Sequence, residues 1–495
     1  MHRAMTEKAR VEAHRERNFN FDKKDSLMNS KKLLLSGLTV FAAILAIAPA
    51  MAVEEVTIDS IEELAEYAGK SGNHVRMERG LYHMSDYFTP EKISQMNQRI
   101  NKAEGRTDKR EAAEFISFNG DDNVFDLRGV TLEFETEKLR EPLEQIQHTP
   151  EFVMRGNNNV LKGVSIINTG NGTSNHGNVF TMSGNSNTLR DCKLAVRGSP
   201  YGFGLLLRGH SDKHSGLRIT GDGNRFIGVE VHTRSLGHGY FLQQGSDNET
   251  PKNNYFENCL VQGEVRAHSE MLADLDDPDS GYEKEYGLDI TKEERENLKE
   301  KLTPGRVTPL CEDGFRFYDA GETTFINCRA ENMRRGFMVE FGGPVYMEGC
   351  VGVGNASTNF TLGQSDGDVM KNCAGDAKYT ALLWSPHGGR RNLDVQLMPD
   401  ASELRGSRTW WRIDGTGGKV SISPWKGKEG DSKGPIKLRG QNVTLRNKTS
   451  VPVAITGSAR DCKVYSKGEI IQNDGENIEI LGKDEINELY KEKRK

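Results

Sequence analysis

The sequence has little proline and no excess of basic residues. Only 15 of its 495 residues are proline, against 53 glycines, and this balance favours many tight turns over proline-rich linkers. The formal net charge is −6, so no general positive charge is present to neutralise phosphates, which argues against a nucleic-acid-binding protein. The seven cysteines include no Cys-x-x-Cys pair, so the sequence does not indicate a zinc framework.

Long apolar runs are also scarce, and the prominent one extends from Leu33 to Ala50. Two lysines precede it and an Ala-Met-Ala sequence ends it, which is the order of a secretory signal peptide. We expect cleavage after Ala52, giving a secreted or periplasmic protein with no membrane segment in its mature form. The alternative is a membrane anchor, for which the run is marginal in length.

A repeat is the strongest signal in the chain. Segments beginning at Phe118, Phe152, Phe180 and Leu217 align with one another, each with a short strand, a Gly/Asn turn and a second apolar strand. Asparagine occupies the same turn position in each repeat, at Asn123, Asn159, Asn187, Asn224 and Asn254. We predict that these asparagines stack and bond to one another.

A shorter period follows, because Cys328, Cys350 and Cys373 end similar segments 22 and 23 residues apart. A repeat of about 22 residues, made of three short strands and three turns, is typical of a parallel β-helix. We therefore predict an all-β fold, a single-stranded right-handed parallel β-helix. These three cysteines, with Cys192 and Cys259, are predicted to point inward without disulfide bonds.

The predicted organisation is one solenoid with additions at its ends. The regions are an N-terminal extension and signal peptide (1–52), an N-terminal cap and first coil (53–114), the β-helix (115–482) and a charged C-terminal tail (483–495). Ser60 is predicted to N-cap the capping helix. Between residues 264 and 310 no coil is visible, and we predict an insertion beside the groove, with a helix N-capped by Thr291.

A family resemblance rests on the start of the chain and on its coils. The cap beginning at Ser60 precedes Val75–Tyr82, a V-x-M-x-x-G-x-Y strand, and N-x-x-x-x-C coils run from Asn187 to Cys192 and from Asn254 to Cys259. Together these features resemble the pectate-lyase-like right-handed parallel β-helix superfamily. The resemblance implies the fold and leaves the activity open, because this fold hosts lyases, hydrolases, epimerases and adhesins.

Outward-facing positions follow from the alternation of apolar residues along each strand. One predicted outer column contains Val153, Thr181, Leu206, Phe241, Arg316 and Met338. The next contains Arg155, Ser183, Arg208, Gln243, Tyr318 and Glu340. This second column mixes Arg, Gln, Tyr and Glu on a rigid sheet, whereas a plain solvated face more often shows Lys, Thr and Ser.

Histidines gather near these columns, since five of the 12 fall between residues 210 and 268. With Arg234, Arg266 and Arg316 nearby, they predict a groove at mid-length. Arginine pairs bidentately with carboxylates and aromatic rings stack on sugar faces, so the predicted partner is an acidic polysaccharide or oligosaccharide.

β-Elimination on a uronic acid explains the use of such residues. It needs a group that neutralises the carboxylate, a base for the C5 proton and an acid for the leaving oxygen. The predicted catalytic residues are His238 as base, Tyr318 as acid, and Arg316 and Arg266 as neutralisers. The predicted substrate-binding residues are Arg208, Arg234, Gln243, His232, His268 and Glu340. The sequence points to no certain cofactor, and Ca²⁺ is the alternative to arginine as neutraliser.

Two other functions stay open at this point. Gly237-His238-Gly239 resembles an element of β-helical polygalacturonases, but no carboxylate pair lies upstream, and Glu312 and Asp313 come only after the insertion. A glycoside hydrolase or epimerase is therefore one alternative, and a non-catalytic carbohydrate-binding or surface protein is the other. The prediction is a secreted polysaccharide lyase that cleaves a uronic-acid-containing polysaccharide.

Four tryptophans lie in a less regular C-terminal part of the sequence. They are Trp384, Trp410, Trp411 and Trp425. The sequence leaves open whether they belong to the core or to a second surface for sugars.

Overall fold

The computed structural model describes most of the chain after the predicted signal peptide. It covers residues 55–87, 89, 91, 92, 94, 95, 114–134, 151–169, 177–197, 206, 213–245, 249–277, 290–386 and 388–491. The signal peptide predicted at 1–52 and Arg208 lie outside the described residues. In the part of the chain that is described, no helix has both the length and the apolar character needed to cross a membrane.

Most strands belong to two large parallel sheets, one of 13 strands and one of 23. The 13-strand sheet consists of Glu114–Phe118, Glu151–Met154, Gly177–Met182, His214–Ile219, Tyr240–Leu242, Asp313–Ala320, Arg335–Gly342, Thr358–Leu362, Ala381–Ser385, Trp411–Ile413, Ile436–Leu438, Val453–Ile455 and Ile470–Asn473. This sheet carries the candidate site described below.

The 23-strand sheet contains two rows of strands that merge at Asp368–Gly375. One row consists of Glu55–Ile58, His74–Met77, Val124–Asp126, Val160–Lys162, Thr188–Arg190, Arg225–Ile227, Asn254–Glu257, Thr323–Ile326, Val345–Glu348, Asp368–Gly375, Arg391–Leu397, Gly418–Pro424, Thr444–Asn447, Lys463–Ser466 and Glu479–Ile480. The other consists of Gly80–His83, Val130–Phe134, Ser165–Asn168, Lys193–Val196, Glu230–Thr233, Leu260–Gln262, Arg329–Glu331 and Val351–Val353.

The chain visits the three rows in a fixed order, coil after coil. Gly177–Met182 of the 13-strand sheet is followed by Thr188–Arg190 and Lys193–Val196 of the other sheet, and His214–Ile219 then begins the next coil. Each strand pairs in parallel with its equivalent one coil later, as Phe180 does with Leu217. The structure is therefore a right-handed parallel β-helix, and the predicted fold is confirmed.

The core runs along the axis of the helix as columns of stacked side chains. The rings of Tyr240, Phe315, Phe337 and Phe360 follow one another with centroids 4.7, 4.8 and 5.2 Å apart. These separations match the spacing of strands in a sheet, so each coil adds one ring to the column. All seven cysteines are buried and unpaired, which confirms the inward prediction for the five named above.

The turn asparagines form a continuous ladder. Asn159 donates its backbone N–H to the Asn187 side-chain oxygen at 2.8 Å, and Asn187 does the same to Asn224 at 2.8 Å. The Asn187 amide nitrogen donates to the Gly156 carbonyl oxygen at 2.9 Å. The predicted stacking of these residues is confirmed. It satisfies the hydrogen-bonding groups of a turn that is buried from water.

Helices occur at the two ends and in the insertion. The described helices are Ile61–Ala68, Met84–Tyr87, His268–Asp276, Lys292–Lys301 and Lys483–Lys491. Ser60 and Thr291 are N-caps, as predicted, because their side chains accept the N–H of Glu63 and Glu294. In the insertion, strands Val265–Ala267 and Val307–Pro309 pair antiparallel.

The predicted coil at Leu205–Arg208 is wrong. The structure gives that place in the 13-strand sheet to His214–Ile219, which pairs with Gly177–Met182 and with Tyr240–Leu242. Leu217, which lies in that strand, pairs with Phe180, as the alignment of the repeats predicted. The second predicted column is also wrong at Glu340. Tyr318 pairs with Phe341 and not with Glu340, because the two strands shift register between Arg316 and Tyr318.

Candidate functional site

The outer face of the 13-strand sheet carries one continuous column of side chains. Strand pairing aligns Thr181, Arg218, Phe241, Arg316, Met338, Thr361, Trp384 and Arg412. The predicted column is thus confirmed for Val153, Thr181, Phe241, Arg316 and Met338, and Arg218 takes the place predicted for Leu206. The candidate site lies around Arg316, near the middle of this column.

His238 and Tyr318 meet at this site although they are 80 residues apart in sequence, because Tyr240 pairs with Phe315 in the next coil. Nε2 of His238 lies 2.8 Å from the Tyr318 hydroxyl oxygen and 3.2 Å from Oε2 of Glu312. The His238 side chain is only 4% exposed, whereas Tyr318 is half-buried. Tyr318 therefore stands between His238 and the surface.

The ring of His238 is held in a defined state. The backbone N–H of Asp313 donates to Nδ1 at 3.3 Å, which leaves the ring proton on Nε2, facing Tyr318 and Glu312. Burial lowers the pKa of His238 to about 4, although Glu312 and Asp313 oppose this change. At neutral pH the ring is therefore uncharged and donates from Nε2.

Arg316 supplies a buried positive charge beside Tyr318. Its side chain is 8% exposed, and its guanidinium lies 4.3 Å from the centre of the Tyr318 ring. Nη1 is 3.7 Å from Oδ2 of Asp313, yet within the described residues neither Nε nor Nη1 has a hydrogen-bond partner. Buried polar groups are normally satisfied, so these nitrogens are available to a ligand.

Two buried carboxylates and several cations form the floor of the site. Glu312 lies 2.7 Å from Lys213 Nζ and 3.4 Å from Arg334 Nη1. Asp313 accepts two hydrogen bonds from Arg335, at 2.7 and 2.8 Å, and two from Arg334, both at 3.1 Å. The local charge is positive, because four basic side chains, those of Lys213, Arg316, Arg334 and Arg335, surround two acidic ones.

These charges fix the ionisation of both carboxyl groups. Burial would raise the pKa of Glu312, but His238, Arg334 and Lys213 outweigh it and lower the pKa to about 2. Burial would likewise raise the pKa of Asp313, but Arg335 and Arg334 hold it well below its usual value. Neither group keeps a proton near neutral pH, so neither is suited to act as the general acid of a hydrolase.

Tyr318 is a partly exposed titratable group of the site. Burial raises the pKa of its hydroxyl, and Glu312 and Asp313 act in the same direction, while Arg316 opposes them. Phe341, which pairs with Tyr318 in the next coil, is 42% exposed and lies with its ring 5.4 Å from the Arg316 guanidinium. The surface therefore presents a phenol, a cation and an exposed aromatic ring side by side.

The other predicted site residues divide among three places. Gln243 follows strand Tyr240–Leu242 on the same sheet, and with its amide oxygen facing Arg218 it accepts hydrogen bonds at 2.7 and 2.6 Å. Glu340 lies on the same sheet, on strand Arg335–Gly342. His232 is on the 23-strand sheet, where it contacts Glu230 at 2.9 Å and Gln262 at 3.1 Å.

Arg234 lies just beyond that strand and lines the same cavity as His232. Arg266 and His268 belong to the insertion. Arg266 forms an ion pair with Asp274, and His268 contacts Thr308 Oγ1 at 2.7 Å. The structure thus brings His238, Arg316 and Tyr318 together, while Arg266 and His268 contact residues of the insertion.

Sequence reasoning missed the role of Lys213, Arg334 and Arg335 and saw Glu312 and Asp313 only as candidates for hydrolysis. One signal was present. Arg334 and Arg335 follow Asp313 by 21 and 22 residues, which is one coil, so stacking had to bring them together.

The described residues of the site do not fit a metal ion. No group of three or more His, Cys, Asp and Glu side chains in the described part of the chain could hold one. The two carboxylates of the site are engaged by arginine and lysine. The alternative of Ca²⁺ as the neutralising group is therefore given no role in the reaction below.

Comparison with known proteins identifies no family model and no curated protein that matches the chain. Solved structures do match. A mannuronic-acid-specific polysaccharide family 6 lyase from human gut microbiota is 9% identical with a TM-score of 0.43, over 87% of this chain and 84% of that chain. A PL6 alginate lyase in complex with a trisaccharide is 10% identical with a TM-score of 0.44, over 87% and 88%.

The Dettilon tailspike protein is 9% identical with a TM-score of 0.30, over 70% of this chain and 62% of that chain. At these identities and scores the matches do not decide the activity. The stacked parallel coils, the asparagine ladder and the capping helix give the chain the fold of a right-handed parallel β-helix.

Proposed function

We propose that this protein is a polysaccharide lyase that cleaves a uronic-acid-containing polysaccharide by β-elimination. The observation that carries the proposal is the contact of Tyr318 with both His238 and Arg316 on an outward sheet face. A proton-transfer group beside a buried cation with free donors is what removal of a proton next to a carboxylate requires.

Arg316 has the role of neutralising the substrate carboxylate. Its Nε and Nη1 atoms have no hydrogen-bond partner within the described residues, so either can donate to a carboxylate oxygen of the substrate without first losing another bond. Charge that develops on the carboxylate as the C5 proton leaves is stabilised by this fixed cation in a site that excludes much of the water.

Tyr318 has the role of moving the proton. Its ionised oxygen, held by Nε2–H of His238, takes the C5 proton; the C5–H electron pair forms the C4–C5 double bond, and the C4–O bond breaks. The same hydroxyl then returns the proton to the leaving oxygen, so the phenolate is restored and the products are an unsaturated uronate and a shortened chain.

This assignment changes the predicted role of His238. As the predicted base it would touch the substrate, but its ring is nearly fully buried and its Nδ1 accepts the Asp313 N–H. We therefore propose that His238 is a positioning residue, which directs Nε2–H to the Tyr318 oxygen and stabilises its ionised form.

Incubation of the purified protein with uronate polysaccharides tests the proposal, with two readouts in parallel. A lyase increases the ultraviolet absorbance of the unsaturated product. A hydrolase releases reducing ends without that absorbance, and a binding protein retains the polymer with neither signal. Either of the last two outcomes, over a panel of alginate, polygalacturonate and other uronate polymers, overturns the proposed activity.

The pH profile separates the two assignments of the base. Because burial raises the pKa of Tyr318, little of it is ionised near neutral pH, so kcat/KM should rise steadily from pH 7 into the alkaline range. If His238 were the base, its pKa of about 4 would make kcat/KM level above about pH 5. A level profile from pH 6 to 9 contradicts the role of Tyr318.

We also propose that the protein acts outside the cytoplasm after removal of residues 1–52. The support is the order of lysines, apolar run and Ala-Met-Ala sequence that ends at Ala52. N-terminal sequencing of the protein recovered from the periplasm or medium should begin at Val53; recovery of the intact N-terminus contradicts cleavage.

A further inference from the structure

A pair of tryptophans lies on the same sheet face as the candidate site. Trp384 occupies the outer column, three strands from Arg316 through Met338 and Thr361, and its ring centre is 4.7 Å from that of Trp410. Strands in a sheet are about 4.8 Å apart, so the pair is about 14 Å from Arg316. This distance is longer than one sugar ring.

Basic side chains surround the two rings. The guanidinium groups of Arg408 and Arg412 lie 4.3 and 5.4 Å from the centre of the Trp384 ring, and Lys437 Nζ lies 4.3 Å from that of Trp410. Arg412 is also paired with Asp414, at 2.6 Å. We refer to Trp384, Trp410, Arg408 and Lys437 as the tryptophan platform.

Arg408 shows the same feature as Arg316. Its Nη1 is buried and has no hydrogen-bond partner among the described residues, and burial lowers the pKa of its guanidinium, with Arg335 acting in the same direction. Arg408 itself is partly exposed, but a buried donor atom that makes no hydrogen bond is costly unless something else accepts that bond. An anionic group of a ligand would do so.

Arg408 also connects the platform to the candidate site. It interacts electrostatically with Glu340 and Asp313 as well as with Arg335, which holds Asp313 in the floor of the site. Exposed Phe341 lies on the same strand as Glu340. Between Arg316 and Trp384 the column itself holds Met338 and Thr361, which are buried. The neighbouring Trp411 differs, because it is fully buried and its Nε1 donates to Ser432 at 2.9 Å, as a core residue does.

From this geometry we infer that the tryptophan platform is a second subsite for the anionic polysaccharide, several sugars away from Tyr318. A sugar ring of the chain stacks on the tryptophan pair, and its carboxylate accepts a hydrogen bond from Nη1 of Arg408. The identity of the ligand as the cleaved polymer rests on the proposed function; binding of an acidic sugar chain at the platform does not depend on cleavage. The subsite gives the enzyme a preference for long chains over short oligosaccharides.

Binding is measured first, by affinity electrophoresis in gels that contain a uronate polysaccharide or its carboxyl-reduced, neutral counterpart. Trp384→Ala should weaken binding to both polymers, since the stacking surface is lost. Arg408→Gln should weaken binding to the acidic polymer alone. We expect about tenfold in the apparent Kd, the change that about 1.4 kcal/mol of lost contact free energy produces. Trp425→Ala is the matched control, because that ring is also partly buried with a nearby cation, Lys426 at 4.2 Å, but follows a strand of the other sheet.

Turnover is measured second, on the polymer and on a trisaccharide of the same uronate. Trp384→Ala should raise KM about tenfold for the polymer with kcat unchanged, and leave both constants unchanged for the trisaccharide.

If Trp384→Ala and Arg408→Gln fold normally and bind both polymers like the wild type, the subsite is refuted even when the protein is an active lyase. If binding weakens as expected but no polymer is cleaved, the subsite stands and the lyase proposal fails. Trp384→Phe, which keeps a ring, distinguishes lost stacking from lost folding, because it should retain most of the binding.

Discussion

The asparagine ladder and the candidate site are both buried polar networks built by stacking coils, yet they differ in whether their hydrogen bonds are complete. In the ladder, both ends of the Asn187 amide have partners, at 2.8 and 2.9 Å. At the site, two nitrogens of Arg316 have none within the described residues, although the side chain is 8% exposed. The cost of an unsatisfied buried donor is tolerated where a ligand completes it.

This comparison teaches where function lies in a repetitive fold. Every coil provides the same scaffold, so a position gains a function when its stacked neighbours differ from the repeat. Tyr318 and Arg316 are such positions, because the strands around them shift register and carry charges in place of the usual outward residues. The predictions below test whether the two networks are as different as this geometry implies.

The largest effect is expected at Tyr318. Removing the proton-transfer group typically costs roughly 10²–10⁴ in rate, so Tyr318→Phe should lower kcat by that factor and leave the unfolding midpoint close to wild type. Tyr346→Phe is the matched control, because Tyr346 is also a half-buried tyrosine, on strand Val345–Glu348 of the other sheet. Steady-state kinetics on the preferred polymer measure the effect, and Tyr318→Phe turnover within threefold of wild type would contradict the assignment.

The next effect is on stability, at Asp313. Asp313→Asn removes a buried counter-charge shared by Arg334, Arg335 and Arg316, so the free energy of unfolding should fall by about 3–5 kcal/mol. Urea unfolding followed by circular dichroism measures it. Glu66→Gln, which removes an exposed partner of Lys70 in the capping helix, should leave the midpoint unchanged. Equal behaviour of the two variants would mean that the floor of the site is not a coupled charge network.

A third effect concerns pH, through two buried histidines. Burial lowers the pKa of both His238 and His214 from 6.5 to about 4. The unfolded chain therefore binds more protons between pH 6.5 and 4, so stability is complete above that window and falls as the pH decreases through it. Each histidine contributes at most about 3 kcal/mol, at 1.36 kcal/mol per pKa unit.

Urea midpoints at pH 7 and pH 5 measure this loss. His214→Leu should reduce the loss of stability between pH 7 and pH 5 by the contribution of one histidine. The variant should still fold, because Asn168 still donates to the Arg197 carbonyl that His214 contacts. An unchanged pH dependence in that variant would mean that His214 is not neutral in the folded protein.

The smallest effect is expected in the ladder. Asn187→Ala removes the acceptor of the Asn159 N–H and the donor to the Gly156 carbonyl, and leaving buried groups unpaired costs about 1–3 kcal/mol. Asn185→Ala, in the exposed part of the same turn, should cost less, since water replaces its bond to the Asp222 N–H. Neither should change kcat. If Asn187→Ala lost turnover at normal stability, the ladder would contribute to activity, which contradicts its assignment as a purely structural network.

The sequence alone predicted the fold, because the features that specify it are local and repeated. The turn position held by Asn187 and the cysteines such as Cys328 recur from coil to coil, and the caps at Ser60 and Thr291 act within one helix turn. Stacking then repeats the same contact, so a periodic pattern determines a three-dimensional column.

At the site, the sequence alone selected His238, Arg316 and Tyr318 but not their roles. The burial of His238 behind Tyr318 follows from the parallel pairing of Tyr240 with Phe315. The insertion separates these two strands in sequence. The repeat pattern therefore did not reveal that Glu312 and Asp313 lie beside His238. The sequence determined which coils exist; the tertiary structure decided which charges they bury together, because that depends on how coils of unequal length stack.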